Sequence, residues 1–289
     1  MSGQFSIVMS GGGCKVFWAT GMLELLRELL PPVDAWAGVS AGAGFALAHA
    51  TGSTAAAFEP FIAATEANER NFYPRRALRR QRVCPHDDMY RSAMIEVFGE
   101  RDIAELREHA PVYMFLSYIE ERERFVAASV NALQSFISRR RNHIYHGPSH
   151  LPPGFGIEVV SSHDAEDLQT LLDWTLMSST IPPFTPIQRR AGRRYLDAGL
   201  IDNIPIRALP EPARAKGSKI LCLVSHHIPI PSHVTRWTEG AEVMYLAARE
   251  PLPIRVWDYT YPEGVRAAIA LGQKDAAFYR DQLRSFVGG

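Results

Sequence analysis

The sequence predicts a three-layer α/β protein, with a mainly parallel central sheet between helices and a helical insertion. Three observations carry this expectation. A short apolar run, a loop of small residues and a helix-spaced stretch follow one another twice within about fifty residues, the order of strand-to-helix units in a parallel sheet. Further apolar runs bounded by turn residues supply later strands, and the chain closes on an amphipathic helical pattern at 262–283. Reacting groups in such folds sit on loops at the carboxyl ends of strands, so they are expected near residues 10–13 and 38–42.

In chain order, QFSIVM (4–9) reads as a buried strand and KVFWATGMLELLRELL (15–30) as a helix closed by Pro31 and Pro32. VDAWAGV (33–39) is a second strand, and the small residues of SAGAGFALAHATG (40–52) suit a helix packed closely on a sheet. Residues 53–110 read as a mostly helical insertion or lid, with NFYPRRALRRQR (71–82) as a basic break between two amphipathic stretches. PVYMFLSYI (111–119) and RFVAASV (124–130) alternate like strands, and DAEDLQTLLDWTLMSST (164–180) is a helix that stops before Pro182 and Pro183. RRYLDAGLIDNIP (193–205) is a strand with a turn, KILCLVSHH (219–227) a buried strand, and PEGVRAAIALGQKDAAFYRDQL (262–283) a closing helix. One domain over 1–289 is expected, because 289 residues of 46% hydrophobic content can bury a full core.

Composition excludes several classes of function. Thirty-one basic residues balance thirty-one acidic ones, so no global field recruits nucleic acid. Cys14, Cys84 and Cys222 are odd in number and contain no CxxC pair, which disfavours a disulfide framework and a structural zinc site and fits a reducing cytoplasm. No stretch reaches 18 apolar residues and the amino-terminal run is short for a signal peptide, so a soluble cytoplasmic protein is expected, with peripheral membrane contact as the exception.

The chemistry is concentrated in three motifs. Gly38-Val39-Ser40-Ala41-Gly42 is a GxSxG at a strand-to-helix corner, which exposes the Ser40 Oγ at the positive end of a helix. Glycine at 38 and 42 lets neighbouring backbone close around the serine. A GxSxG arises by chance in roughly one chain in ten of this length, so it needs company. Gly11-Gly12-Gly13 provides it: a glycine loop at a helix start aims unobstructed N–H groups at developing negative charge. A Walker A loop requires a later Lys followed by Ser or Thr, whereas Lys15 comes early, and Val16 replaces the last glycine of a dinucleotide fingerprint. A turn used only for close packing is the competing reading. Asp197, at the end of RRYL and before Ala198-Gly199, is either a base for Ser40 or a simple Asx turn.

Taken together, SGGGCK, GVSAG and YLDAGLIDNIP, with MSSTIPPFTP (177–186) between the last two, resemble the patatin-like phospholipase family over nearly the whole chain. The closing PEGVRAAIALGQKDA (262–276) is similar to the last helix of bacterial members. The resemblance implies a patatin-like fold and a lipid acyl hydrolase acting through a Ser-Asp dyad. Ser40 would be the nucleophile and Asp197 its direct partner. Gly11, Gly12 and Gly13, with the Ala41 N–H, would form the oxyanion hole, and Gly38, Gly42, Gly199 and Lys15 match the supporting motif positions. Val16 stands where the family usually has glycine, and Ala198 takes the middle place of its usual Asp-Gly-Gly or Asp-Gly-Ala. A lipid or acyl-ester substrate is implied, and neither a metal nor an organic cofactor.

Other readings remain at this point. An α/β-hydrolase triad would run Ser40, Asp197 and then His226 or His227, although an elbow at residue 40 leaves room for only two strands before it. The same acyl-serine also serves an acyltransferase or thioesterase, and a silent lipid-binding protein is a further class. His49 reads as a packing or surface residue and Cys14 as a small packing residue. The arginines of PRRALRRQR (74–82), RRR (139–141) and RRAGRR (189–194) read first as solvated faces. Their second reading is contact with an anionic membrane, with Phe72 and Tyr73 inserting at the interface. Oligomeric state is left open.

Overall fold

The computed structural model describes residues 3–99, 101, 103–142, 144–148 and 150–288. The first fifty residues alternate as expected: β1 (Phe5–Met9), α1 (Phe17–Leu26), β2 (Ala35–Val39) and α2 (Ala41–Ala50). A 3-10 turn over Gly13–Val16 forms the entry to α1. The insertion holds α3 (Thr54–Ala67), α4 (His86–Phe98) and the short α5 (Ile103–Leu106), with a 3-10 turn at Pro74–Arg79 in the basic break. β3 (Val112–Glu120), α6 (Phe125–Arg141), β4 (Phe155–Ser161), α7 (Leu168–Ser178), β5 (Arg189–Arg190) and β6 (Arg193–Leu196) follow. The chain ends through α8 (Glu211–Arg214), β7 (Lys219–His227), β8 (Ser232–Arg236), β9 (Glu242–Ala248) and α9 (Pro262–Gly288).

Among the described residues nine strands form one sheet. Its centre is parallel, in the order β3-β2-β1-β7-β9, and antiparallel pairs β3/β4, β3/β6, β5/β6 and β8/β9 complete it. The two-residue period of a strand sends alternate side chains to opposite faces. Phe5, Ile7 and Met9 of β1 therefore join α1, α2, α3 and α9 in one core, and Val8 joins Ala128 and Ala132 of α6 and Ala213 of α8 in the other. α1 lies along α9, where the Trp18 indole donates to the buried Asp275 carboxylate at 2.9 Å.

The register of β3 has a consequence for chemistry. Met114 pairs Gly38 of β2 and Val160 of β4, and Ser117 pairs Leu196 of β6 and Ile157 of β4. Because β4 occupies one edge at both positions, β2 and β6 must share the other. β2 ends opposite Phe115 and β6, running the other way, ends opposite Ser117. The residues just past those two ends, Ser40 and Asp197, are thus driven toward each other across a short gap.

Several expectations need correction. RFVAASV is not a strand but the start of α6: Phe125, Ala128 and Ala132 turn inward at helical spacing, and a seven-residue window was too short to separate that period from alternation. α7 begins at Leu168 rather than 164, because the Asp167 carboxylate caps it by accepting from the Thr170 N–H at 2.7 Å. β4, β5, β8 and β9 had not been anticipated. β9 is almost wholly buried and so shows no alternation, β4 is a mixed run whose exposed residue is Val159, and β5 and β8 present mainly polar side chains on antiparallel edges.

Candidate active site

Ser40 sits on a strained corner, with φ 55° and ψ −138°. A non-glycine residue there costs about 1–3 kcal/mol and persists only when its surroundings hold it. Gly38 and Gly42 show how closely they hold it. A Cβ on Gly38 would run into the Gly42 carbonyl, and one on Gly42 into the carbonyls of Met9 and Ser10. The corner is tied further by the Ser40 N–H, which donates to Ser178 Oγ at 2.8 Å, while Ser178 Oγ donates to the Phe115 carbonyl at 2.8 Å. Ser178 thereby fills the gap between the ends of β2 and β6.

Across that gap Ser40 Oγ donates to Asp197 Oδ2 at 2.6 Å. The aspartate is held on both sides: its Oδ1 accepts the Gly199 N–H at 2.7 Å and its own N–H donates to the Thr180 carbonyl at 2.7 Å. A Cβ on Gly199 would crowd Asp197 Oδ1 and Asn203 Oδ1 at 2.9 Å each. Both Ser40 and Asp197 are buried. Burial pushes the Asp197 carboxyl from its ordinary 3.8 up to about 6, against the downward pull of the Ser40 hydroxyl and the Gly199 N–H.

The glycine loop lies over the same cavity. Gly11, Gly12, Gly13, Lys15, Ser40 and Asp197 all line it. Among the described residues no protein acceptor takes the N–H of Gly11, Gly12, Gly13 or Ala41. The three glycines differ in what requires them. Gly13 has φ 53° and no room against the Val256 carbonyl, and a Cβ on Gly11 would meet Asn203 Oδ1 at 2.8 Å and Ser40 Cβ at 3.1 Å. A Cβ on Gly12 would make only ordinary contacts, the nearest with the Ser225 carbonyl at 3.4 Å. Asn203 Nδ2 donates to the Gly11 carbonyl at 3.4 Å, joining the loop to the Asp197 turn.

Neither candidate histidine joins Ser40 and Asp197. His226 accepts from the Arg140 guanidinium at 2.7 Å, and His227 donates from Nδ1 to the Ala248 carbonyl at 3.1 Å. His226 still lines the cavity with Lys15 and Arg140. Burial, then Arg140 and Lys15, holds its pKa well below the ordinary value, so it is neutral; burial and Arg140 likewise lower that of Lys15. Among the described residues neither Lys15 nor Arg140 has a carboxylate in ion-pair range, so this wall of the cavity favours an anion. Arg190 and Arg193 instead pair with Glu158, and Arg189 with Glu121. His49 is a packing residue, stacked on Trp36 and pushed down to about 3 by burial and then by Arg27. Cys14 is buried, and burial and Asp258 push its thiol far up, away from nucleophilic use.

A second, narrow cavity of about 40 Å³ begins at the same corner. Gly13 and Ala41 line it, and its remaining wall is apolar, from Phe17 and Phe45 to Phe58, Phe61, Ala93 and Met94 of the insertion. Ser178, Asn203 and Arg140 are the site residues that sequence reasoning missed. Ser178 lay in the quoted MSSTIPPFTP and Asn203 in the quoted YLDAGLIDNIP, but neither had been given a role, and Arg140 lay in a cluster read as solvated. Among the described residues no group of three or more His, Cys, Asp or Glu side chains is placed to hold a metal ion.

A serine corner facing an aspartate beneath a glycine loop, on a mainly parallel sheet covered by helices, places the chain in the nucleophile-elbow class of α/β proteins. The model of the family described as patatin-like phospholipase matches residues 7–210, and the chain belongs to that family. Among solved structures, human GIVD cytosolic phospholipase A2 in complex with methyl gamma-linolenyl fluorophosphonate and terbium chloride matches with a TM-score of 0.50 and 11% identity, over 99% of this chain and 59% of that one. VipD from Legionella pneumophila matches with a TM-score of 0.47 and 12% identity, over 98% of this chain and 67% of that one. ExoU in its heterodimeric complex with SpcU, from the type III secretion system of Pseudomonas aeruginosa, matches with a TM-score of 0.45 and 18% identity, over 100% of this chain and 52% of that one. This chain thus spans about three fifths of the human enzyme and half of ExoU, and the likeness concerns the fold. No curated protein matches it in sequence.

Proposed function

We propose that the protein hydrolyses the acyl ester of a lipid through an acyl-serine intermediate, with Ser40 as nucleophile and Asp197 as its base. The observation that carries this reading is the direct 2.6 Å hydrogen bond between the two side chains at a strained corner. As Ser40 Oγ bonds to the ester carbonyl carbon, its proton passes to Asp197 Oδ2. The carbonyl oxygen, now negative, is stabilised by the free N–H groups of the glycine loop and Ala41 at the start of α2. Collapse breaks the ester C–O bond, and Asp197 returns the proton to the departing alcohol. Water then gives a proton to Asp197 as it attacks the acyl-serine, and the fatty acid leaves with Ser40 restored.

The apolar lining behind Gly13 and Ala41 favours an acyl chain entering at that corner, and the Lys15 and Arg140 wall supports a negative group near the scissile ester, as in a phospholipid. We read residues 1–289 as one patatin-like unit, in which the 53–110 insertion walls the acyl cavity. A fluorophosphonate probe should label the parent and not Ser40→Ala, and phospholipid incubated with the parent should yield free fatty acid. A parent that the probe leaves unlabelled overturns the serine mechanism. Acyl groups transferred to an added alcohol in preference to water would make it an acyltransferase.

A further inference from the structure

α6 is packed the wrong way round for a helix on a soluble protein. Its fully buried residues are small, Ala128 and Ala132, with Phe125 half-buried at its start, while Val126, Val130, Leu133 and Ile137 are 75, 47, 47 and 41% exposed. At about 100° per residue those four side chains fall within roughly 60° of one another, a single apolar stripe. No acidic residue occurs between Phe125 and Arg141, and the helix ends on Arg139, Arg140 and Arg141. Arg139 is engaged with the carbonyls of Leu200 and Ile201 and Arg140 with His226, which leaves the exposed Arg141 beside the stripe.

The same helix forms one wall of the Ser40 cavity, through Ser129, Leu133, Phe136 and Arg140. Whatever covers the stripe therefore lies at the cavity mouth, and Leu133 belongs to both surfaces. A folded partner seated there would crowd the mouth, whereas a lipid surface would feed it. The carboxylates that precede the helix, Glu120, Glu121 and Glu123, are paired with Arg193, Arg189 and Arg122, and apolar residues with no carboxylate among them and cations at their end suit the boundary between anionic head groups and acyl chains. The basic segment at 71–82 also exposes Phe72 and Leu78, but Tyr73 is tied to Asn68 and Arg76, and none of these residues lines the Ser40 cavity.

We propose that α6 docks through its Val126, Val130, Leu133 and Ile137 face into an anionic lipid surface and holds the mouth of the Ser40 cavity against it. The proposal rests on the acyl hydrolase reading for its purpose, but its test does not need turnover. Ser40→Ala protein is sedimented with vesicles of phosphatidylcholine containing a minor share of phosphatidylglycerol, and with vesicles of phosphatidylcholine alone. Binding is expected to the first and to fall at least about tenfold in V130D/I137D, with Arg141→Gln weakening it only where phosphatidylglycerol is present. In the Ser40-bearing protein, V130D/I137D should hydrolyse a short soluble ester at the parent rate, which shows that it is folded, while turnover of vesicle lipid drops with binding. Undiminished vesicle binding by V130D/I137D overturns the proposal. So does a parent that sediments as a dimer while V130D/I137D is a monomer, because the occupant is then a second copy of this chain. Loss of turnover in the parent with vesicle binding intact would instead overturn the hydrolase reading and leave the docking in place.

Discussion

Replacing Asp197 with Asn should abolish activity and, at neutral pH, stabilise the protein. Asn is nearly isosteric: its amide oxygen can accept the Gly199 N–H and its amide nitrogen can donate to Ser40 Oγ, so the two hydrogen bonds of the aspartate have counterparts. What changes is the buried charge. The carboxyl rises from 3.8 to about 6 in the folded protein, so between those values the native state holds a proton that the unfolded chain has released. Stability therefore falls as pH rises through that window and is lowest above it. The rise corresponds to about 3 kcal/mol at pH 8 and only about 0.5 kcal/mol at pH 4. Urea unfolding of the parent and Asp197→Asn across that range should show the variant more stable by an increment that grows with pH. Asp202, also raised to about 6 by burial, is common to both proteins and cancels. The same titration governs catalysis: a protonated Asp197 cannot take the serine proton, so acylation by the parent should rise through about pH 6 and level off. An increment that does not change with pH, or a variant destabilised at pH 8, would refute the argument from a buried, desolvated base.

Gly12→Ala keeps its N–H but sets a methyl beside it on the wall of the Ser40 cavity, which should screen the donor and slow burst-phase acylation by up to about 10²-fold, the effect of losing one oxyanion donor outright, with the urea midpoint little changed, since its Cβ meets nothing closer than 3.4 Å; a shifted midpoint with intact acylation would make the loop purely structural. Ser178→Ala leaves the Ser40 N–H and the Phe115 carbonyl without their bridge and should cost about 1–3 kcal/mol of stability together with activity, read by urea unfolding and ester turnover; a neutral outcome would remove it as the brace of the corner. Ala93→Val, which narrows the apolar cavity by two methyl groups, should shift preference toward shorter chains in a series of p-nitrophenyl esters, whereas an unchanged ranking would place the acyl chain elsewhere. Arg140→Gln should raise KM for an anionic phospholipid and leave that for a neutral ester near the parent value; an equal rise for both would mean that Arg140 supports the cavity and does not select charge.

The candidate reacting groups were legible in the sequence because each depends on its own few neighbours. Gly38 and Gly42 are needed by a turn that Ser40 makes locally, Gly13 by a positive φ at the start of a 3-10 turn, and Asp197 stands at the end of its own short strand. The parallel core was legible for the same reason, since β1, β2 and β7 are continuous apolar runs with turn residues at their ends. Tertiary structure alone decided what meets what. That Ser40 and Asp197 touch follows from β2 and β6 sharing one edge of β3, a register that no local pattern encodes. Ser178 and Asn203 matter only because the chain returns past the elbow and the glycine loop. The arginine clusters divide on partners distant in sequence, with Arg190 paired to Glu158 and Arg140 turned onto His226. α6 is the clearest case: its buried residues, Ala128 and Ala132, satisfy the fold with little bulk, and Val126, Val130, Leu133 and Ile137 are left facing outward. A periodic pattern shows that a helix has an apolar face, but which face is buried depends on the surface it packs against.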